Sequence, residues 1–195
     1  MKKVGFFIGT FDPIHNGHIS LAVQISEIHR LDEVILCPAF CSPFKKNRPP
    51  AVSAEQRLQM VQAAIQDIPR FSASDREIRQ DKIVFTIDLV KEILNEEKNL
   101  QLHLIFSEDT LNGFPQWKEV DELIRLAPPF IGSRLASPRN IPADLKEKLK
   151  KGFTQTKMMD ISSTEIRERL KKELYCGHLV PAKVLDYIRV YQLYL

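Results

Sequence analysis

The chain has 195 residues, 44% of them apolar, with 28 basic and 25 acidic side chains for a formal charge of +3. That length can bury a full core in a single domain, 1–195, and the dispersed charge excludes the dense basic stripe that a duplex nucleic acid requires. The leading apolar run stops at Ile8, too short for a signal peptide or spanning helix, and Cys37, Cys41 and Cys176 lack the partners of a zinc site, which points to free thiols in a cytoplasmic protein with no membrane partner.

In chain order, "KVGFFI" reads as a buried strand, "GHISLAVQISEIHR" as a helix with apolar residues at 19, 21, 22, 25 and 28, and "EVILCPA" as a second strand closed by Pro38. "CSPFKKNRPP" is a loop, because its prolines remove amide donors and favour extended backbone. Ser53 followed by Gln56 makes a capping box that opens the helix "AEQRLQMVQAAIQDI". "TIDLVKEILNEEKN" is an amphipathic helix, "LQLHLIF" a strand, "QWKEVDELIRLA" a helix and "PFIGSR" a strand. After the connection "LASPRNIP" come a polar helix "ADLKEKLKKG", a last strand "TKMMDI", and two helices, "STEIRERLKKELY" and "PAKVLDYIRVYQLY". Strands alternating with helices predict an α/β fold, parallel strands in one sheet with helices on both faces, and a helical C-terminus. Ligands of such sheets collect at the carboxyl ends of the strands, and "GTFDPIHNGH", residues 9–18, lies at that edge.

This stretch is neither GxGxxG nor GxxxxGK[ST], so both common phosphate loops are excluded. It supplies Gly9, the hydroxyl of Thr10, a turn through Asp12 and Pro13, and His15 and His18 around a helix start near Gly17. Unpaired amides and the dipole at a helix N-terminus can seat a polyphosphate without lysine, and Gly17 lets a ring or phosphate approach the backbone. Two imidazoles there can donate to phosphoryl oxygens, as phosphoryl and nucleotidyl transfer require. Ordinary loop and cap histidines, or a zinc site with ligands still to be found, are the alternatives. A second stretch, "DISSTEIRERL", sets Ser162, Ser163 and Thr164 before a helix carrying Arg167 one turn in. It is a second anion site, a plain cap in which Ser162 and Glu165 form a capping box, or both.

"GTFDPIHNGH" with "ISSTEIR" resembles the HxGH nucleotidyltransferases, and in particular the bacterial nicotinate-nucleotide adenylyltransferases. The likeness continues through "RLQM", "DREIRQDKIVFTIDLV", "LHLIFSEDTLNGFPQW" and "VPAKVLDYI". It implies a Rossmann-like α/β domain, a doubly wound parallel sheet, and adenylyl transfer from ATP to nicotinate mononucleotide, giving nicotinate adenine dinucleotide and pyrophosphate, with Mg2+ accompanying ATP and no metal-ligating side chains assigned. The catalytic residues carried over are His15, His18 and Arg167. The implied ATP-binding residues are Gly9, Thr10, Phe11, Gly17, Ser162, Ser163 and Thr164. Lys45, Lys46, Thr86, Asp109 and Trp117 are the implied contacts of the mononucleotide. The chain departs from the family at Ser107 and Glu108, which follow "LHLIF" and add bulk and a negative charge beside the expected pyridine site. A pantetheine-phosphate adenylyltransferase and a catalytically silent nucleotide-binding module are the rival readings, and homo-oligomerisation is left open.

Overall fold

The computed structural model describes residues 1–40, 49–80, 82–133 and 142–195. Its strands are β1 (Lys2–Gly9), β2 (Glu33–Pro38), β3 (Phe71–Ala73), β4 (Leu100–Ser107), β5 (Phe130–Ser133) and β6 (Phe153–Gln155). Its helices are α1 (Asn16–His29), α2 (Ala54–Ile65), α3 (Arg76–Arg79), α4 (Thr86–Glu96), α5 (Val120–Leu126), α6 (Ala143–Leu149), α7 (Ser163–Lys171) and α8 (Ala182–Val190). The strands form one six-stranded sheet in the order β3-β2-β1-β4-β5-β6. This is the doubly wound order expected, with β1 beside the point where the order reverses. The loop leaving β1 is residues 10–15, the start of the first motif.

By contact the chain divides into two compact units: Met1–Ile8, Leu21–Ile35 and Val84–Met158 form the first, and Gly9–Ser20, Leu36–Ile83 and Met159–Leu195 the second. In the first, β1 pairs parallel with β4 from Lys2↔Leu100 to Phe6↔Leu104, β4 with β5, and β5 with β6. Val4, Phe6, Leu102, Leu104, Ile105 and Ile131 are buried, as the unbroken apolar runs of strands covered on both faces demand. Gly132 accommodates the Leu21 side chain of α1, because a Cβ there would stand 2.1 Å from Leu21 Cδ1. In the second unit α2 packs on α8, burying Met60, Val61 and Ile65 on one helix and Val184, Leu185 and Ile188 on the other. The expected box at the start of α2 is present in full: Ser53 Oγ accepts from Gln56 N at 3.2 Å and Gln56 Oε1 accepts from Ser53 N at 3.1 Å.

Three expectations need correction. The last strand is Phe153–Gln155, and residues 156–161 are irregular. Within the described residues the ladder with β5 ends at Ser133↔Gln155, and the Lys157 amide turns instead to Gln24 Oε1 at 2.7 Å. The three-residue strand β3 and the one-turn helix α3 are additions, both too short for periodicity to register. The segment "QWKE" before α5 is not α-helical: residues 108–112 and 114–116 are 310 turns, the second closing at Gln116, and Glu119, in the left-handed region at φ 51°, is the boundary residue of α5. Cys37 and Cys176 are buried free thiols, while Cys41 lies outside the described residues. Among the described residues no helix is long and apolar enough to cross a membrane.

Candidate active site

The motif at the end of β1 is held in a compact shape by its own side chains. Phe11, in the left-handed region at φ 49°, folds its ring back over Gly9, where a Cβ would stand 2.8 Å from the ring; only glycine fits beneath it. Phe11 then meets the His18 ring edge-on, with centroids 5.0 Å apart. His15 and His18 stack at 3.7 Å with 28° between their planes. Gly17 gives His15 its room, since a Cβ at 17 would stand 3.1 Å from that ring. The glycine expected to admit a ligand thus first admits an imidazole.

One hydrogen bond sets the tautomer of His18. The His15 backbone amide donates to His18 Nδ1 at 3.3 Å, and a backbone amide can only donate. His18 Nδ1 is therefore an unprotonated acceptor and the ring proton sits on Nε2. Loss of water around the rings holds both histidines neutral: burial takes His15 down to about 4, and burial with the adjoining His15 ring depresses His18 well below its ordinary value. His15 Nδ1 is buried with no hydrogen-bond partner among the described residues. The site therefore presents two neutral imidazoles at the N-terminus of α1, an arrangement in which helix dipole and N–H donors together can stabilise negative charge.

The second motif braces the first. Ser162 caps α7, its hydroxyl accepting from Glu165 N at 3.1 Å. Ser163 Oγ donates to Pro13 O at 2.9 Å. Arg167 Nη1 donates to Asp12 O at 2.6 Å, and its Nη2 donates to Thr164 Oγ1 at 3.2 Å. Residues 9–18 and 162–167 are thus brought together, with Ser162 and Ser163 engaged in holding backbone.

Sequence reasoning passed over three side chains that hold this geometry. Asp12, buried at 5% exposure, accepts from Tyr194 OH and Ala51 N, each at 2.8 Å. Arg57, buried at 1%, donates to three carbonyls: Thr10 O at 2.7 Å, Ala39 O at 2.5 Å and Phe40 O at 3.0 Å. These carbonyls follow β1 and β2, whose ends are also joined by Ala39 N to Gly9 O at 2.9 Å. Glu77 accepts from Phe40 N at 3.1 Å, and its burial raises its carboxyl to about 7 against the opposing pull of Arg57. Arg57 was detectable, because it falls on the buried stripe of α2 with Ala54, Val61 and Ile65, a place where a charge must have partners.

In the first unit, Thr86 is the first residue of α4, whose cap residue Phe85 supplies no side-chain hydrogen bond. Lys118 lies 5.0 Å from the Phe85 ring centroid and bonds Asp88 in the first turn of α4 at 3.0 Å. The half-buried Trp117 ring is packed against Phe114 at 5.2 Å and Phe106 at 6.2 Å. Asp109 is exposed in the 310 turn after β4, and its neighbour Glu108 accepts a short hydrogen bond from the buried Ser133 hydroxyl. Thr86, Asp109 and Trp117 thus share this unit with Glu108, whereas Lys45 and Lys46 lie outside the described residues.

The chain thus joins a doubly wound sheet to paired imidazoles at the helix start that follows its first strand. The family model described as cytidylyltransferase-like matches residues 6–169, and the chain belongs to that family. Curated relatives extend the likeness over the full length. A "Probable nicotinate-nucleotide adenylyltransferase" of Methylacidiphilum infernorum is 37% identical over 99% of this chain and 92% of its own. One of the same name from Clostridium acetobutylicum is 34% identical over 100% of both chains. Among solved structures, Plasmodium falciparum nicotinic acid mononucleotide adenylyltransferase complexed with NaAD matches with a TM-score of 0.82 at 21% identity, over 100% of this chain and 98% of that one, which shows the shared fold.

Proposed function

We propose that the protein is a nicotinate-nucleotide adenylyltransferase, forming nicotinate adenine dinucleotide and pyrophosphate from ATP and nicotinate mononucleotide. The observation that carries the chemistry is the stacked pair His15 and His18, neutral, with the His18 proton on Nε2, at the N-terminus of α1. A phosphate oxygen of the mononucleotide attacks the α-phosphorus of ATP, a P–O bond forms, and the bond to the β-phosphate breaks to release pyrophosphate. Negative charge accumulates on the α-phosphoryl oxygens during this exchange, and neutral N–H donors fixed in place stabilise it without prior rearrangement. Arg167 and the first amides of α7 hold the β- and γ-phosphates, and Gly9, Thr10 and Phe11 shape the nucleotide side of the turn. The mononucleotide is assigned to Thr86, Asp109 and Trp117, with Lys45 and Lys46 reaching its phosphate.

Magnesium accompanies ATP on this reading. Among the described residues no group of three His, Cys, Asp or Glu side chains is placed to hold a metal ion, and Asp12 is engaged by Tyr194 and Ala51. On this reading the ion is carried by phosphate oxygens and water, a common state of Mg2+. The experiment is direct. The protein is incubated with ATP, Mg2+ and, separately, nicotinate mononucleotide, nicotinamide mononucleotide or phosphopantetheine, and the product is identified by mass. Nicotinate adenine dinucleotide is expected; dephospho-coenzyme A as the sole product, or no product from any acceptor, overturns the assignment.

A further inference from the structure

We propose that Tyr194 is a positioning residue for ATP binding: its hydroxyl satisfies the Asp12 carboxylate and so keeps Arg167 available to phosphate. This rests on the reading of Arg167 as a phosphate ligand. Asp12 places a buried carboxylate within the very turn assigned to an anionic nucleotide, an arrangement that is costly unless the charge is compensated. Compensation comes from two neutral donors, one to each oxygen: Tyr194 OH to Oδ1 and Ala51 N–H to Oδ2. Arg167 Nη1 stands 3.7 Å from Oδ2, well beyond the 2.7–2.9 Å of a charge-assisted hydrogen bond. The guanidinium is therefore near the carboxylate without being locked to it. Its two hydrogen bonds go to neutral acceptors, Asp12 O and Thr164 Oγ1.

The position of Tyr194 is itself specified. After α8 the chain reverses, Leu193 N returning to Ile188 O at 2.9 Å, and Gln192 and Tyr194 both adopt the left-handed region at φ 50° and 66°. A bulky residue rarely takes that conformation unless its surroundings hold it. Burial and the adjoining Asp12 charge push the phenol above its ordinary range, so the hydroxyl remains a donor throughout the working pH range. Without it, Oδ1 loses its donor, and the nearest guanidinium, Arg167, is drawn into contact with Asp12 at the expense of the nucleotide.

The test measures binding of a non-hydrolysable ATP analogue by calorimetry beside steady-state kinetics, for wild type, Tyr194→Phe, Arg167→Ala and the double variant, with melting temperatures recorded. Tyr194→Phe is expected to weaken the analogue and raise KM for ATP about tenfold, the scale of one hydrogen bond to a charged group. The kcat and the KM for the mononucleotide should stay within about twofold. In the Arg167→Ala background the same change should add nothing to the ATP loss, because the residue through which Tyr194 acts is gone. Multiplicative losses in the double variant, or equal loss for both substrates, overturn the proposal. Asp12→Asn provides an independent reading if Tyr194→Phe does not fold: its amide oxygen can accept from Ala51 and its NH2 can donate to the tyrosine oxygen, while the pull on Arg167 disappears. The analogue should then bind as tightly as to wild type or more tightly, and tenfold weakening overturns the proposal. Analogue binding with no product in turnover would reject the transferase reading and leave the Tyr194 coupling measurable; no binding to wild type would reject both.

Discussion

The His15 backbone amide lies 3.3 Å from His18 Nδ1 and, by donating to it, leaves the ring proton of His18 on Nε2. His18 can therefore act as a hydrogen-bond donor without first acquiring a charge. His18→Ala is expected to lower kcat on the order of a hundredfold while changing KM for ATP only slightly, since in the proposed mechanism its bond strengthens as charge builds on the α-phosphate. A rise in KM alone would show His18 to be a ground-state binder.

Gly17 tests the pair by crowding. A methyl group there would stand 3.1 Å from the His15 ring, close enough to force the imidazole aside by a few tenths of an ångström. Gly17→Ala favours helix and should leave the melting temperature unchanged or raise it, yet lower kcat by about tenfold as the His15–His18 stack shifts. Unchanged kcat would separate the stacking geometry from catalysis.

Acid should destabilise the fold in a defined window. His15 is held neutral down to about 4, and burial, with the Lys3 and His103 charges, likewise takes His29 to about 4, where it bonds Thr154 at 2.7 Å and stacks on Phe130. Both values lie below the unfolded 6.5, so the unfolded chain binds protons that the folded one refuses. This histidine contribution is whole above about pH 6.5 and is lost as pH drops toward 4, with an upper bound of about 3 kcal/mol for His15. Glu77, raised to about 7, acts with the opposite sign in the same window, so the histidine effect is read by difference in a Glu77→Gln background. There the urea midpoints at pH 7.5, 6 and 4.5 should fall in that order, and adding His29→Gln should flatten the slope. Equal midpoints in that background would contradict the buried, neutral assignment.

Four of the strands and most helices were legible because their signals are local and repeated: apolar runs for β1 and β4, a capping box for α2, a 3.6 period for α4. The motif residues were legible by type and spacing. What joins them was not. Asp12 meets Tyr194 across 182 residues and Arg167 meets Asp12 across 155, and no spacing rule reaches that far. The glycines show the same divide, for a bare Gly17 in sequence suggests space for a ligand, while the folded chain gives that space first to His15.

Arg57 should be the costliest of the supporting residues to lose. Arg57→Met keeps the apolar stem but strips the donors from the carbonyls of Thr10, Ala39 and Phe40, at about 3–5 kcal/mol. For a chain of this size that lowers the melting temperature by roughly 6–20 °C. Arg57→Lys should recover part of the loss, because one ammonium cannot span all three oxygens. A melting temperature within about 2 °C of wild type for Arg57→Met would remove Arg57 from the framework.

The choice between acid and amide substrates turns on Glu108 and α4. The first amides of α4 receive no cap from the Phe85 side chain, and free amides suit the carboxylate of nicotinate mononucleotide better than the NH2 of the amide. One mismatched hydrogen-bonding group costs about 1–3 kcal/mol, so the acid should be preferred by roughly tenfold to a hundredfold in kcat/KM. Glu108 opposes this by charge, but its carboxylate is tethered by the Ser133 hydroxyl. Glu108→Ala should therefore widen the acid preference severalfold. Trp117→Ala should weaken both mononucleotides in proportion, because stacking on a pyridinium ring does not tell acid from amide. A native preference for nicotinamide mononucleotide that vanishes in Glu108→Ala would reverse the substrate assignment and make Glu108 the residue that selects the amide.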